Sequence, residues 1–136
     1  MKINFKKLSD TAIAPNKSHY NDSGFDLYAD EDAILAYGET KVIATNIALE
    51  LPDGFMADVR PRSGLTSKTA LRVQYGTVDA GYRGNIGIIC DNVDNLYKVK
   101  TIDNKLHAII TGDQDAILTY STAIEIKRGD KIAQLV

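Results

Sequence analysis

The chain has one cysteine, no tryptophan, three prolines and two histidines in 136 residues, and its formal charge is only −2. A lone cysteine, Cys90, closes no intramolecular disulfide, which excludes a disulfide-stapled secreted scaffold and points to a reducing compartment. His19 and His107 lack Cys or His partners at ligand spacing, so no zinc site of the usual pattern is present. Neither histidine has an evident serine partner and no GxSxG occurs, which sets aside hydrolysis through a covalent serine intermediate. The near-neutral charge argues against direct nucleic-acid binding, because neutralising duplex phosphates requires a basic excess. A small phosphorylated ligand needs only a local cluster of donors. No apolar stretch approaches membrane-spanning length, and the N-terminal "MKINFKKLSD" carries lysines without an apolar signal core. The expectation is a cytoplasmic protein that does not contact membrane.

What the sequence has is alternation. Apolar residues make up 44% and charged residues 25%, ordinary for one globular domain spanning residues 1–136. Ile43, Thr45, Ile47, Leu49 and Leu51 fall on one side of "KVIATNIALELPDG", and Phe55, Ala57 and Val59 repeat the period. Leu71, Val73 and Tyr75 do the same, as do Ile124 and Ile126, then Ile132 and Gln134. Turn signals such as "DSG", "AYGE", "PDG", "TGD" and "KRGD" separate the runs. Only one short helix, around Ser63 to Ala70, is predicted. The rest reads as about ten short strands in a closed or two-sheet β architecture. Residues 91–127 hold short strand-like pieces cut by Asn/Asp/Gly turns, readable either as extra hairpins or as the continuing barrel.

Several stretches concentrate polar chemistry. "YGTVDAGYRGNIGIIC", Tyr75 to Cys90, looks like a strand pair, yet it holds Gly76, Gly81, Gly84 and Gly87 with Asp79 and Tyr82 between them. Glycine weakens a strand unless the backbone bends sharply or something approaches it closely. "RPRSGLTSK" gathers two arginines, serines, Gly64 and Lys68 where a strand gives way to a helix start. Such donors suit phosphate oxygens, although a solvated turn with a serine cap is the commoner use of these residues. Walker-loop spacing is absent. "GYRGNIG" has neither the spacing nor the following helix of a dinucleotide loop. In "SGFDLYADED", Asp26 alternates with Phe25 and Leu27 and so can face a cleft, while Asp30, Glu31 and Asp32 read as a solvated acidic turn.

In chain order, "SGFDLYA", "RPRSGL", "GTVDAGYRGNIG" followed by Asn92, and "RGDKIAQLV" resemble the first four motifs of the trimeric dUTP diphosphatase (dUTPase) family. The likeness covers residues 14–92 and 128–136, and four motifs in register are far more specific than any one. The resemblance implies an all-β, distorted jelly-roll barrel, three copies of which build active sites at their interfaces. It implies hydrolysis of dUTP to dUMP and pyrophosphate with Mg2+, a reaction that clears the nucleotide pool and supplies dUMP. Residue by residue, it implies that Asp26 helps hold the metal through water, and that Arg62, Ser63 and Gly64 contact the triphosphate. Asp79 would orient and deprotonate the water attacking the α-phosphorus, and Tyr82 would pack on the deoxyribose and crowd a 2′-hydroxyl. Thr77, Val78 and Gly87 would border the uracil, and Gln134 would lie near the phosphates.

The sequence departs from the family pattern in three places. Many members carry Asn where Val73 stands, leaving either Gln74 to compensate or the uracil contact to main chain alone. No counterpart of the fifth motif, a Gly-rich arm, precedes Val136; either the sequence is cut there or this member works without the arm. Residues 93–127 exceed the spacing of typical members and read as an insertion within the single domain. That extension resembles those of dUTPases from certain phages of Gram-positive bacteria, some of which bind regulatory proteins. A phage or prophage source and a regulatory protein partner are therefore expected. The related dCTP deaminases share the fold, but their signature residues are replaced here by Ser67 and Ile89. A dUTPase-like regulatory module, controlled by nucleotide without turnover mattering, is the alternative from another functional class.

Overall fold

A computed structural model describes residues 2–93, 99–102, 105–108 and 123–136. The described residues form thirteen strands and one short helix, more strands than the sequence pattern resolved. In order they are β1 (Asn4–Lys7), β2 (Phe25–Tyr28), β3 (Ala33–Leu35), β4 (Thr40–Ala44), β5 (Ile47–Glu50), β6 (Ala57–Pro61), α1 (Ser63–Lys68), β7 (Leu71–Val73) and β8 (Gly76–Val78). They continue with β9 (Gly87–Asn92), β10 (Val99–Ile102), β11 (Lys105–Ala108), β12 (Ile124–Ile126) and β13 (Lys131–Leu135).

Every pairing is antiparallel. A four-stranded sheet runs β2-β13-β6-β8, a three-stranded sheet runs β4-β9-β7, and the pairs β1-β5 and β12-β3 complete a distorted jelly roll. Alternation explains which face closes on the core. Ala57, Val59, Leu71, Val73, Ile86, Ile88 and Cys90 are buried while their chain neighbours face outward or are half-covered. Leu35, Ile88, Cys90 and Ala133 are fully enclosed, at 0% exposure; burying a side chain the size of Leu35 or Ile88 contributes about 1.5–3 kcal/mol.

The periodic run Ile43 to Leu51 keeps its parity but not its continuity. All five alternating residues are buried, yet β4 and β5 are separate strands split at Asn46, whose φ is +55°. Phe55 remains half-exposed although Ala57 and Val59 are buried. Tyr75 breaks the Leu71–Val73 alternation and is 68% exposed, because the chain leaves β9 just before it. The acidic run is not a solvated turn. Asp30 is buried, Glu31 accepts the Ala44 N–H at 2.8 Å, and Asp32 accepts the Arg128 N–H at 2.8 Å. Within 91–127, Asp91 and Asn92 end β9, β12 joins β3, and β10 and β11 pair with each other; residues 94–98, 103–104 and 109–122 lie outside the described residues. Cys90 sits on the middle strand of the three-stranded sheet, where burial, aided by the nearby Asp91 charge, pushes its thiol up to about 12.

Candidate functional site

Asp26, Gln134 and Arg60 occupy one cross-strand row, because β13 pairs Gln134 with Asp26 on one side and with Arg60 on the other. Directly opposed residues share a face, so the row presents its side chains together. Asp26 is 6% exposed and is fixed by its surroundings. Its N–H donates to the Asn16 carbonyl at 2.7 Å, and the Ser18 hydroxyl donates to its carboxylate at 3.3 Å. Arg62 Nε and Lys131 Nζ each stand 3.7 Å from that carboxylate, one on each oxygen. Arg62 also donates to the Lys131 carbonyl at 3.2 Å, tying the end of β6 to the start of β13. The result is a buried carboxylate with two cations at its mouth.

Arg62 is the N-cap residue of α1, in extended conformation, and makes no side-chain cap bond. Ser63 is therefore the first helical residue rather than the cap, and both Ser63 and Gly64 are exposed. The N–H groups of a first helical turn have no intrahelical acceptor, so those at Ser63 and Gly64 remain open to an acceptor from outside the helix. Lys131 was not singled out by the sequence, where it looks like any solvated lysine of a "GDK" turn.

The second group surrounds the glycine-rich stretch, and the expected strand pair is not formed there. β7 runs beside β9 through Val73 opposite Cys90, and the Gln74 N–H still donates to the Ile89 carbonyl at 2.9 Å. The chain then crosses to the other sheet: β8 pairs with β6, through Val59–Gly76, Asp58–Thr77 and Ala57–Val78. β9 meanwhile pairs with β4 through Gly87 opposite Ala44. β8 and the Gly87 end of β9 thus diverge, leaving a strand edge of each without a ladder partner among the described residues. Val78 is buried, while Thr77 is exposed. The Gln74 side chain is occupied, donating to the Asp91 carboxylate.

A tight turn closes the stretch, with the Tyr82 N–H on the Asp79 carbonyl at 3.0 Å. The Tyr82 hydroxyl donates to the Asn85 carbonyl at 2.8 Å, and the ring lies so close to Gly84 that an added Cβ would meet it at 2.6 Å. Gly84 is what lets the ring lie flat across the turn. Asp79 is exposed, and its carboxylate makes no hydrogen bond or ion pair among the described residues. Asp26, Arg62 and Gln134 are thus brought together, and Asp79 and Tyr82 share the turn that follows Thr77 and precedes Gly87, but among the described residues no side-chain bond joins the two groups.

Three comparisons bear on this arrangement. Residues 10–104 match the family model described as dUTPase. Over 92 residues the chain is 49% identical to a deoxyuridine 5'-triphosphate nucleotidohydrolase of Clostridioides difficile, covering 66% of this chain and 64% of that protein. It is 36% identical to the protein of that name from Thermobifida fusca, covering 100% of this chain and 63% of the relative. The chain thus spans just under two thirds of the length of these two relatives. Among solved structures it resembles the dUTPase of phage phi11 of S. aureus, with a TM-score of 0.81, 32% identity, and coverage of 100% of this chain and 88% of the phage chain. A mutant of that phage enzyme coordinates a structural Mg(II) ion.

Proposed function

This chain belongs to the dUTPase family, and from that premise we propose that it hydrolyses dUTP to dUMP and pyrophosphate. The observation that carries the reading is that β8 pairs away to β6 and the Gly87 end of β9 pairs away to β4, so backbone groups on both sides of the turn holding Asp79 and Tyr82 lack ladder partners among the described residues. A planar base fits between such groups, and fixed backbone donors and acceptors read its rim. Cytosine exchanges a donor for an acceptor on that rim, so it leaves backbone groups unpaired and is rejected. With Val73 buried and the Gln74 amide held by Asp91, uracil recognition falls to main chain around Thr77, Val78 and Gly87. Tyr82, fixed across the turn, packs on the deoxyribose and leaves no room for a 2′-hydroxyl.

The chemistry divides between the two groups. Asp79, with its lone pairs free, orients the attacking water and takes its proton as the water adds to the α-phosphorus; pyrophosphate leaves. Arg62, the open amides at Ser63 and Gly64, and Gln134 hold the phosphate chain in line. Among the described residues no three His, Cys, Asp or Glu side chains gather into a metal cage. Asp26 alone fits Mg2+, which keeps most of its water and takes substrate phosphates as ligands. Bound there through water, the ion would neutralise charge on the departing pyrophosphate.

The working unit is a homotrimer. β8 lies three strand spacings from β2, about 14 Å across the sheet, and Asp79 lies beyond the end of β8. The family's trimeric assembly, with its sites at the interfaces between copies, would bring Asp79 of one copy to the phosphate cradle near Asp26 of another. No helix among the described residues is long and apolar enough to cross a membrane, and the nucleotide pool places the enzyme in the cytoplasm. Of residues 93–127, expected as an insertion in this single domain, β10 and β11 pair with each other, whereas β12 pairs with β3 of the barrel and buries Ile126 in the core, so the inserted part would end before Ile124. That insertion is the part of the chain available to a regulatory protein.

The test is pyrophosphate release from dUTP by the full chain and by Asp79→Asn. The amide keeps the volume but cannot take the proton, so turnover should fall by about 10²–10⁴-fold while dUTP binding persists. Parent-like turnover in the variant would remove Asp79 from its role. A parent chain that releases no pyrophosphate would overturn the function.

A further inference from the structure

Asn46 is the only non-glycine residue with positive φ among the described residues. Asparagine tolerates the left-handed region better than most residues, but glycine adopts it at no steric cost. A turn that only needed the backbone reversal between β4 and β5 would be served by glycine. Here every polar group of Asn46 is used. Its side-chain amide donates to the buried Asp30 carboxylate at 2.6 Å. Its side-chain oxygen accepts from the Asn85 amide at 2.6 Å, and its own N–H donates back to the Asn85 side-chain oxygen at 2.9 Å. Its carbonyl accepts the Leu8 N–H at 2.8 Å.

The anchor behind Asn46 is firm. Asp30 is 4% exposed, receives the Ser9 hydroxyl on the same oxygen as Asn46, and faces Arg128 Nε at 3.9 Å through the other. The load ahead of it is the base-binding turn. Asn85 offers its carbonyl to the Tyr82 hydroxyl, and the Tyr82 N–H closes the turn onto Asp79. Next door, Thr45 holds the Ile86 carbonyl with its hydroxyl at 2.7 Å. The turn carrying Asp79 and Tyr82 hangs from two strands in different sheets, so β ladders alone do not set its position. A continuous chain of contacts does, from Asp30 through Asn46 and Asn85 to Tyr82.

We infer that Asn46, paired with Asn85, is a positioning residue that sets the height of Tyr82 over the nucleotide slot. The inference rests on the dUTPase reading for its kinetic readout and on the hydrogen-bond chain for its structural one. It assigns a role in substrate recognition to a residue outside all four sequence motifs, on a different sheet-forming segment.

The experiment compares the full chain with Asn46→Gly, Asn85→Ala and the double variant. Glycine preserves the backbone reversal and deletes only the side-chain bonds, and Asn85→Ala cuts the same link from its partly exposed side. Each single variant should raise KM for dUTP by roughly 10- to 100-fold, the scale of a misplaced positioning group, with a smaller change in kcat. Because the two residues form one link, the double variant should be no worse than the more affected single. Amide hydrogen exchange across residues 79–85 should quicken in all three. An unchanged KM, or single effects that multiply in the double variant, would overturn the inference. So would a lowered Tm with unchanged KM, which is what a purely structural turn gives. If Asn46→Gly does not fold, Asn85→Ala alone decides by the same criteria. If the parent turns over no dUTP, the proposed function fails separately, and the exchange measurement decides: equal protection in parent and variants overturns the tether, and faster exchange at residues 79–85 supports it.

Discussion

The proposed reaction uses both Asp26 and Asp79, and the two carboxylates sit in opposite kinds of surroundings. Asp26 is on β2, inside a four-stranded sheet, buried and already flanked by Arg62 and Lys131. Asp79 follows β8 at the sheet's edge, exposed and without a side-chain partner among the described residues. A buried carboxylate gains a fixed position from strand pairing on both sides, and cations at its mouth offset the cost of burying its charge. One whose task is to take a proton must keep its lone pairs free and must move with whatever presents the substrate. The sheet therefore supplies permanence for the first, while the second depends on a few side-chain bonds around a turn.

The largest effect that tests this division is complementation between copies. Asp26→Asn and Asp79→Asn should each be inactive alone, at a floor about 10²-fold or more below the parent. Co-refolded, the two should recover turnover, because some interfaces then combine an intact Asp26 side with an intact Asp79 side. No recovery would mean that both groups come from one chain, and the shared-site geometry would be wrong.

A smaller effect separates ring placement from backbone crowding. Alanine at Gly84 puts a Cβ 2.6 Å from the Tyr82 hydroxyl and 2.7 Å from its Cζ, so the whole ring must shift. Alanine at Gly87 meets Val42 Cγ1 at 2.5 Å, a single methyl on an exposed side chain that can rotate away. Gly84→Ala should raise KM for dUTP roughly 10-fold and Gly87→Ala clearly less. The reverse order would show that the strand edge, not the ring, limits binding.

The smallest effect lies in acid stability. Burial, the largest single influence on Asp30, pushes its carboxyl up, but hydrogen bonds from Asn46, Ser9 and Thr11 and the Arg128 charge together outweigh it and hold it below its ordinary value. A carboxyl depressed in the folded state adds stability above its unfolded value, and that stability is lost as pH falls through the folded one. Asp30→Asn should therefore lower Tm near neutral pH and flatten the acid limb below about pH 4. Parallel Tm curves for parent and variant would mean that Asp30 is no anchor.

How much of this was legible in the sequence depends on the range of the interaction. Alternation marked the buried faces correctly even where the strand was broken: Ile43, Thr45, Ile47, Leu49 and Leu51 keep their parity through the reversal at Asn46. The helix at Ser63 was legible from its local residues, but its cap was not, because Arg62 takes that place without using its side chain. Tyr75 misled because the pattern cannot show where a chain changes sheets. The acidic run misled for the same reason, since its donors, Ala44 and Arg128, come from other segments. Asn46 and Asn85 meet across 39 positions, and no local signal announces such a pair. Lys131 reaches Asp26 only through strand register, which the "GDK" turn does not encode.

Cys90 carries a consequence of its own. It lies at 0% exposure on the strand that also begins with Gly87, between β4 and β7, with its thiol pushed up to about 12. Thiolate is the reactive form of sulfur, so alkylating reagents and peroxide find no nucleophile while the three-stranded sheet stays closed. Labelling at this position then reports the opening of that sheet as a cooperative unit rather than the fraying of a loop. The chain's single sulfhydryl is in effect a latch indicator, silent while shut, set on the same strand against which the base would dock.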